Sequence, residues 1–80
     1  MSAPIDPRAM VVAAQLASVL HALTGAPVSI AADPQADDGD ALVCLGGLEV
    51  ALVRRDGEAE TIATIDEVVA AVNEQRRGAA

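Results

Sequence analysis

The sequence predicts an α+β domain in which a helix, four strands and a second helix follow one another along 80 residues. Two observations carry this prediction. Apolar residues recur at helical spacing near both ends of the chain, and short apolar runs separated by turn sequences fill the middle. We expect an antiparallel sheet, a three-stranded meander plus a short first strand, with both helices packed on one face. No repeat or linker divides residues 1–80, so we expect one small domain with disordered ends at 1–5 and 78–80.

The first helix begins at Asp6-Pro7, where Asp6 is the expected N-cap and Pro7 the first helical residue. Gly25 and Pro27 are expected to end it. Between these signals the apolar residues fall at helical spacing and predict a core-facing stripe. The stripe consists of Val12, Leu16, Val19, Leu20 and Leu23.

The middle of the chain alternates between strands and turns. Residues 28–32 predict a short first strand, and the polar stretch 33–40 predicts a loop. Residues 41–45 and 48–54 flank Gly46-Gly47, a two-residue hairpin signal. Asp56-Gly57 repeats that signal before a last strand at 58–63.

The second helix has a capping box at its start, with Thr64 as N-cap and Glu67 three residues later. Ile65, Val68, Val69 and Val72 predict its apolar face. Arg76 and Arg77 close it and suit the negative end of the helix dipole.

Two-residue turns would also fix which side chains share a face of the sheet. Val43 would oppose Val50, and with Leu52 these would face the helices. Arg55 would oppose Glu58 across the second turn. The outer face would then carry an apolar patch rimmed by charge, which is typical of an interface. The predicted patch consists of Leu42, Cys44, Ala51, Val53 and Ile62.

The first helix offers a second small surface opposite its stripe, formed by Met10, Ala14, Ala17 and His21. A helix that is apolar or small on most sides is usually buried on more than one of them. The alternative is that alanine is a good helix former and tolerates exposure.

Composition excludes several classes of function. The net charge of −7 repels phosphate backbones and anionic lipids, so we expect neither a nucleic-acid nor a membrane partner. The chain has no aromatic residue for base stacking. A lone cysteine excludes an internal disulfide and favours the reducing cytoplasm. One Cys and one His are too few for a structural zinc site, and we expect no cofactor.

Three candidate reactive features have structural explanations that fit better. His21 has no carboxylate near it in sequence to make it a general base. Cys44 is placed beside Glu49, whose charge would raise the pKa of the thiol. The carboxylates of Asp33 and of 37–40 suit a hard cation in type, but their spacing departs from the EF-hand pattern.

The sequence therefore favours a non-enzymatic protein–protein interaction module, either a homodimer or a small accessory subunit of a larger protein. One alternative is a small ligand- or metal-binding domain or minor enzyme that uses the acidic loop 33–40. A further alternative is a regulator acting on nucleic acid, although Asp66 and Glu67 make the start of the second helix acidic. The interface residues predicted are Met10, Ala14, Ala17, Leu42, Cys44, Val53 and Ile62.

Overall fold

A computed structural model describes residues 4–32 and 39–79 of the chain. It contains the predicted α+β fold, with the elements in the predicted order and the strands in one open antiparallel sheet ordered β1-β2-β3-β4. The elements are α1 (Pro7–Thr24), β1 (Val28–Ala32), β2 (Ala41–Leu45), β3 (Leu48–Val53), β4 (Ala59–Thr61) and α2 (Ile65–Ala79). The sequence did not determine which strand β1 pairs with. In the structure it pairs with β2 and forms one edge of the sheet.

The two ends of α1 form as its capping residues predict. The Asp6 carboxylate accepts a hydrogen bond of 2.9 Å from the Arg8 backbone N–H, and this bond lowers the pKa of Asp6. Pro7 takes the first helical position. At the other end Gly25 adopts a φ of 70° and donates its N–H to the His21 carbonyl at 2.8 Å.

The predicted capping box of α2 is also present. The Glu67 N–H donates to the Thr64 hydroxyl at 3.2 Å, and the Thr64 N–H donates to the Glu67 carboxylate at 3.1 Å. The helix includes Gly78 and ends at Ala79, and Ile5 packs against the core. Positions 1–3 and 80 lie outside the described residues.

The core lies between the two helices and one face of the sheet. Its largest fully buried side chains are those of Leu45, Val43 and Val53. Ala9 and Ala13 are the fully buried residues of α1. Alanine carries only a methyl group, so the helix can approach the sheet closely at these two positions.

The rotation of α1 differs from the predicted stripe. Val12, Leu16 and Leu20 pack against the core as expected, but Val19 and Leu23 do not. Ala9 and Ala13 point at the sheet. The buried face of α1 is therefore centred on the side that carries these two alanines together with Leu16 and Leu20. That rotation leaves one flank of the predicted stripe in solvent.

A β-bulge in β3 overturns part of the predicted register. The Gly46-Gly47 turn pairs Leu45 with Leu48 as expected, but the partner of Val43 is Ala51 and not Val50. The extra residue in β3 is therefore Val50. Beyond the bulge every side chain of β3 moves to the other face from the one predicted.

Two face assignments are corrected as a result. Val53 was expected on the outer face, but it is 0% exposed and belongs to the core, as does Ala51. Leu52 was expected in the core, but it pairs with Leu42 and Glu60 on the outer face and is only partly buried.

The turn between β3 and β4 has three residues instead of two. Arg54 donates its N–H to the Glu58 carbonyl and accepts from the Gly57 N–H, both at 2.7 Å. Gly57 has a φ of 93°, as expected for the last residue of a three-residue hairpin loop. The predicted Arg55–Glu58 pair is therefore wrong, and the Arg54 guanidinium instead bonds Glu60 at 2.9 Å.

A junction at residues 39–40 holds three parts of the fold together. Asp40 is only 4% exposed, and its carboxylate accepts a 2.8 Å hydrogen bond from the Arg55 N–H in the β3–β4 turn. Gly39 accepts a 2.9 Å bond from the Asp6 N–H at the start of α1. The junction therefore ties α1, the start of β2 and the β3–β4 turn to one another.

Replacing Asp40 with alanine should lower the free energy of unfolding by about 1–3 kcal/mol, because the Arg55 N–H loses its acceptor. Urea denaturation followed by circular dichroism measures this change. Asp40→Asn keeps a side-chain oxygen and should cost less, and Glu74→Ala on the exposed side of α2 is the control. Equal stability of Asp40→Ala and Glu74→Ala would show that the junction contributes nothing.

Two glycine-to-alanine substitutions should change the stability of the fold in opposite directions. Gly39 has a φ of 93°, and a Cβ there would lie 3.0 Å from the Arg55 Cβ and 3.3 Å from the Asp6 Cβ, so Gly39→Ala should destabilise the fold. Gly78 lies in α2 with no atom within 4 Å of an added Cβ, so Gly78→Ala should stabilise by up to about 1 kcal/mol. Thermal melting of both variants checks the signs.

Candidate functional site

Most of the predicted cation loop, 33–38, lies outside the described residues. The acid of that loop that is described, Asp40, is nearly buried and accepts the Arg55 N–H bond of the junction. Across 4–32 and 39–79 no group of three or more His, Cys, Asp or Glu side chains comes together as a metal site would require. Asp40 therefore has a structural role.

His21 lies in the last turn of α1 and contributes to the end of that helix. Its Nδ1 is 2.8 Å from the Ala26 carbonyl oxygen, to which it donates in the tautomer that is protonated there. The neighbouring Thr24 hydroxyl donates to the Leu20 carbonyl at 2.6 Å and accepts from the Ala26 N–H at 3.2 Å. These bonds fix the turn between α1 and β1, which is a structural use of the imidazole.

Cys44 lies half-buried on the outer face of the sheet, directly opposite Glu49 in β3. Burial raises the pKa of the Cys44 thiol, and the negative charge of Glu49 raises it further. The thiolate is the nucleophilic form, so a raised pKa makes this cysteine a poor nucleophile near neutral pH.

Cys44 should consequently react slowly with iodoacetamide, with a pH profile displaced to higher pH than that of a free thiol. Glu49→Gln removes the smaller of the two causes, so its alkylation at pH 8 should be faster by less than about tenfold. Mass spectrometry of timed samples gives the rates, with Glu74→Gln as the control. A Glu49→Gln rate at or below that of the unmodified chain would contradict this account.

The outer face of the sheet is less apolar than the sequence indicated. Leu42 and Cys44 lie on it as predicted, but Leu42 is already nearly buried. Ile62 follows β4 and is about half exposed, whereas Val53 has no exposed surface to offer a partner. The face as the register gives it consists of Ser29, Ala31, Leu42, Cys44, Glu49, Leu52 and Glu60.

The predicted surface on α1 is present but small. Met10 is exposed to 40%, Ala14 is exposed and Ala17 is half-buried. Two of the three side chains are single methyl groups, so this flank of the helix has little apolar area. At 100° per residue it lies on nearly the opposite side of α1 from Val19.

A larger apolar surface lies between the two helices. We call Val19, Leu23, Ile65 and Val69 the interhelical face. Their residue exposures are 56%, 79%, 81% and 53%, although all four were predicted to face the core. Each helix contributes two of them one turn apart, so they form two short apolar rows.

A groove of about 240 Å³ lies where the two rows end, with Leu23 of α1 and Val69 of α2 among its lining residues. Its floor contains Val68 and Val72 of α2, and its rim contains Leu23, Thr24, Val69, Asn73 and Arg76. The groove has no carboxylate, thiol or imidazole among these lining residues. Aliphatic walls with one amide and one guanidinium at the rim can bind an apolar side chain, but they offer no group that would accept a proton.

The sequence missed this face because helical spacing alone does not fix how a helix is rotated. On α2 the apolar residues span an arc of about 100°, of which the sheet covers only the part nearest Val68 and Val72. On α1 the signal that could have found the true rotation is the spacing of Ala9 and Ala13 with Leu16 and Leu20. The predicted stripe omits these two alanines, which mark the close contact with the sheet.

No helix in the described part of the chain is long and apolar enough to cross a membrane. No protein-family model matches the sequence, and neither the curated proteins nor the solved structures yield a similar protein. The geometry of the described residues is therefore the basis for the proposed function.

Proposed function

We propose that this protein is a non-enzymatic protein–protein interaction module of the cytoplasm, acting as a homodimer or as a small accessory subunit, and that its contact surface is the interhelical face. The observation that carries the proposal is the exposure of four large aliphatic side chains on the two helices, two of which, Leu23 and Val69, line one groove. A contiguous exposed apolar surface is typical of a site that a partner covers.

The state of the candidate reactive groups supports binding over catalysis. Asp40 and His21 are held by backbone hydrogen bonds in the fold. The Cys44 thiol has a raised pKa and a carboxylate opposite it. None of these groups lines the groove between the helices. An enzyme needs a nucleophile, base or acid beside the bound substrate.

The small size of the domain also favours a partner. A chain of this length buries only about 60% of the surface that its unfolded form exposes. Its largest fully buried side chains are one leucine and two valines. Covering the interhelical face would add aliphatic burial that the fold by itself does not provide.

In an extract of the cell that makes it, the protein should elute from a size-exclusion column well above its own mass of 8.1 kDa. Leu23→Asp and Val69→Asp place a charge in the interhelical face and should shift it towards the monomer. Val11→Asp adds the same charge to α1 outside the interhelical face, at a residue that is also exposed, and should leave the elution unchanged.

Elution of the unmodified protein at monomer mass would overturn the proposed function. Circular dichroism of each purified variant establishes that it is folded, which separates loss of a partner from loss of structure.

A further inference from the structure

The occupant of the interhelical face can be inferred from the charges on α2. We propose that it is a second copy of this chain, with the two α2 helices packed antiparallel about a two-fold axis. This inference rests on the proposed function, because it names the partner of the same surface.

The charges of α2 are arranged so that the helix complements itself. Asp66 and Glu67 lie in its first turn, and Arg76 and Arg77 lie in its last turns. Asp66 and Arg77 are eleven positions apart, about three turns, so they fall within about 20° of the same flank of the helix. In an antiparallel pair, Asp66 of one copy therefore lies opposite Arg77 of the other copy, because the two residues are on the same flank of the helix. A parallel pair would bring like charges together.

The apolar residues of α2 lie beside these charges in the same arrangement. Ile65 is 81% exposed at the start of the helix, and Val69 follows one turn later. The groove lies towards the other end, where Leu23 of α1 meets Val72 and Arg76. Because Asp66 lies opposite Arg77, the antiparallel pair is centred between residues 71 and 72. Val69 of each copy then lies opposite the groove of the other, and Ile65 lies at the end of that groove. The contact is then the same on both copies, as a two-fold interface requires.

The fold of one copy explains only part of this pattern. The helix dipole favours acids in the first turn and arginines in the last. It gives no reason for isoleucine and valine to be exposed next to them. A chain with net charge −7 also repels its own copies unless the contact is locally neutral. Because Asp66 and Arg77 pair across the axis, this contact meets that condition.

A dimer of standard size would cover about 15% of the surface of each copy. A standard interface removes about 800 Å² from each partner, and the chain has 5234 Å² of accessible surface. With fifteen residues, α2 is about 22 Å long, and the end of α1 widens the contact beyond it.

The test is sedimentation equilibrium of the purified full-length chain from low micromolar to near-millimolar concentration. We expect a monomer–dimer equilibrium. Val69→Asp should weaken the dimer at least about a hundredfold, because it puts a carboxylate against the partner's groove. Val11→Asp, which changes an exposed residue of α1 outside the interhelical face, should leave the dissociation constant unchanged.

A charge swap tests the antiparallel direction. Asp66→Arg and Arg77→Asp alone should each weaken the dimer about three- to tenfold, since each disrupts two symmetric pairs. The double variant Asp66→Arg/Arg77→Asp restores opposite charges across the axis and should recover most of the loss. High salt should reduce all three effects. If Asp66→Arg fails to fold, Asp66→Asn and Arg77→Asn are compared singly and together. Both changes remove the same pair, so the double variant should weaken the dimer no more than either single variant does.

A monomer at every concentration would overturn the inference, as would a dimer whose dissociation constant is unchanged by Val69→Asp. A dimer in which the charge-swapped double variant is no stronger than either single variant would overturn the antiparallel arrangement. If the purified chain is a monomer but elutes from a cell extract as a larger species, the second-copy inference fails while the proposed function stands. A monomer both in the purified sample and in the cell extract would overturn the second-copy inference and the proposed function together.

Discussion

The bulge at Val50 is the constraint on which most of this structure depends. It reverses the faces of the second half of β3, so Val53 enters the core and Leu52 leaves it. The Val50 carbonyl also accepts the N–H groups of Ile62 and Ala63 at 2.8 and 3.2 Å. Those residues immediately precede the N-cap of α2. One extra residue in a strand therefore sets both the composition of the core and the point from which the second helix departs.

The absence of aromatic residues shapes the layer above the sheet. Without large rings to fill space, α1 contacts the sheet through Ala9 and Ala13. Small side chains at the contact turn the helix so that its bulkier aliphatic residues are divided between core and surface. Val19 and Leu23 lie on the exposed side of that division. The apolar surface between the helices thus follows from how an aliphatic core has to be packed.

Features decided by a few consecutive residues could be predicted from the sequence. The capping box at Thr64, the N-cap at Asp6 and the turn at Gly46 depend on hydrogen bonds or dihedral angles within about four residues, and all three are present. So are the six elements and their order. Local patterns carry this information because the interactions themselves are local.

Features that depend on distant residues could not be predicted in this way. Val50 resembles any other strand valine, and its role as a bulge involves Ile62, twelve positions further along the chain. The rotation of α1 is decided by the sheet beneath it. The interhelical face was missed for the same reason. The apolar pattern identifies which residues could be buried, but it does not show how many of them one small sheet can cover.

The order of the strands has a consequence for how the chain folds. Each strand pairs with its neighbour in sequence, so the sheet can assemble hairpin by hairpin with short loop closures, a topology associated with fast folding. Helix α1 precedes all four strands and packs against the first three of them. Because synthesis runs from the N-terminus, α1 and all four strands are made before α2. The helix that carries half of the interhelical face is the last part of the domain to be synthesised, so association through that face can follow folding and need not compete with it.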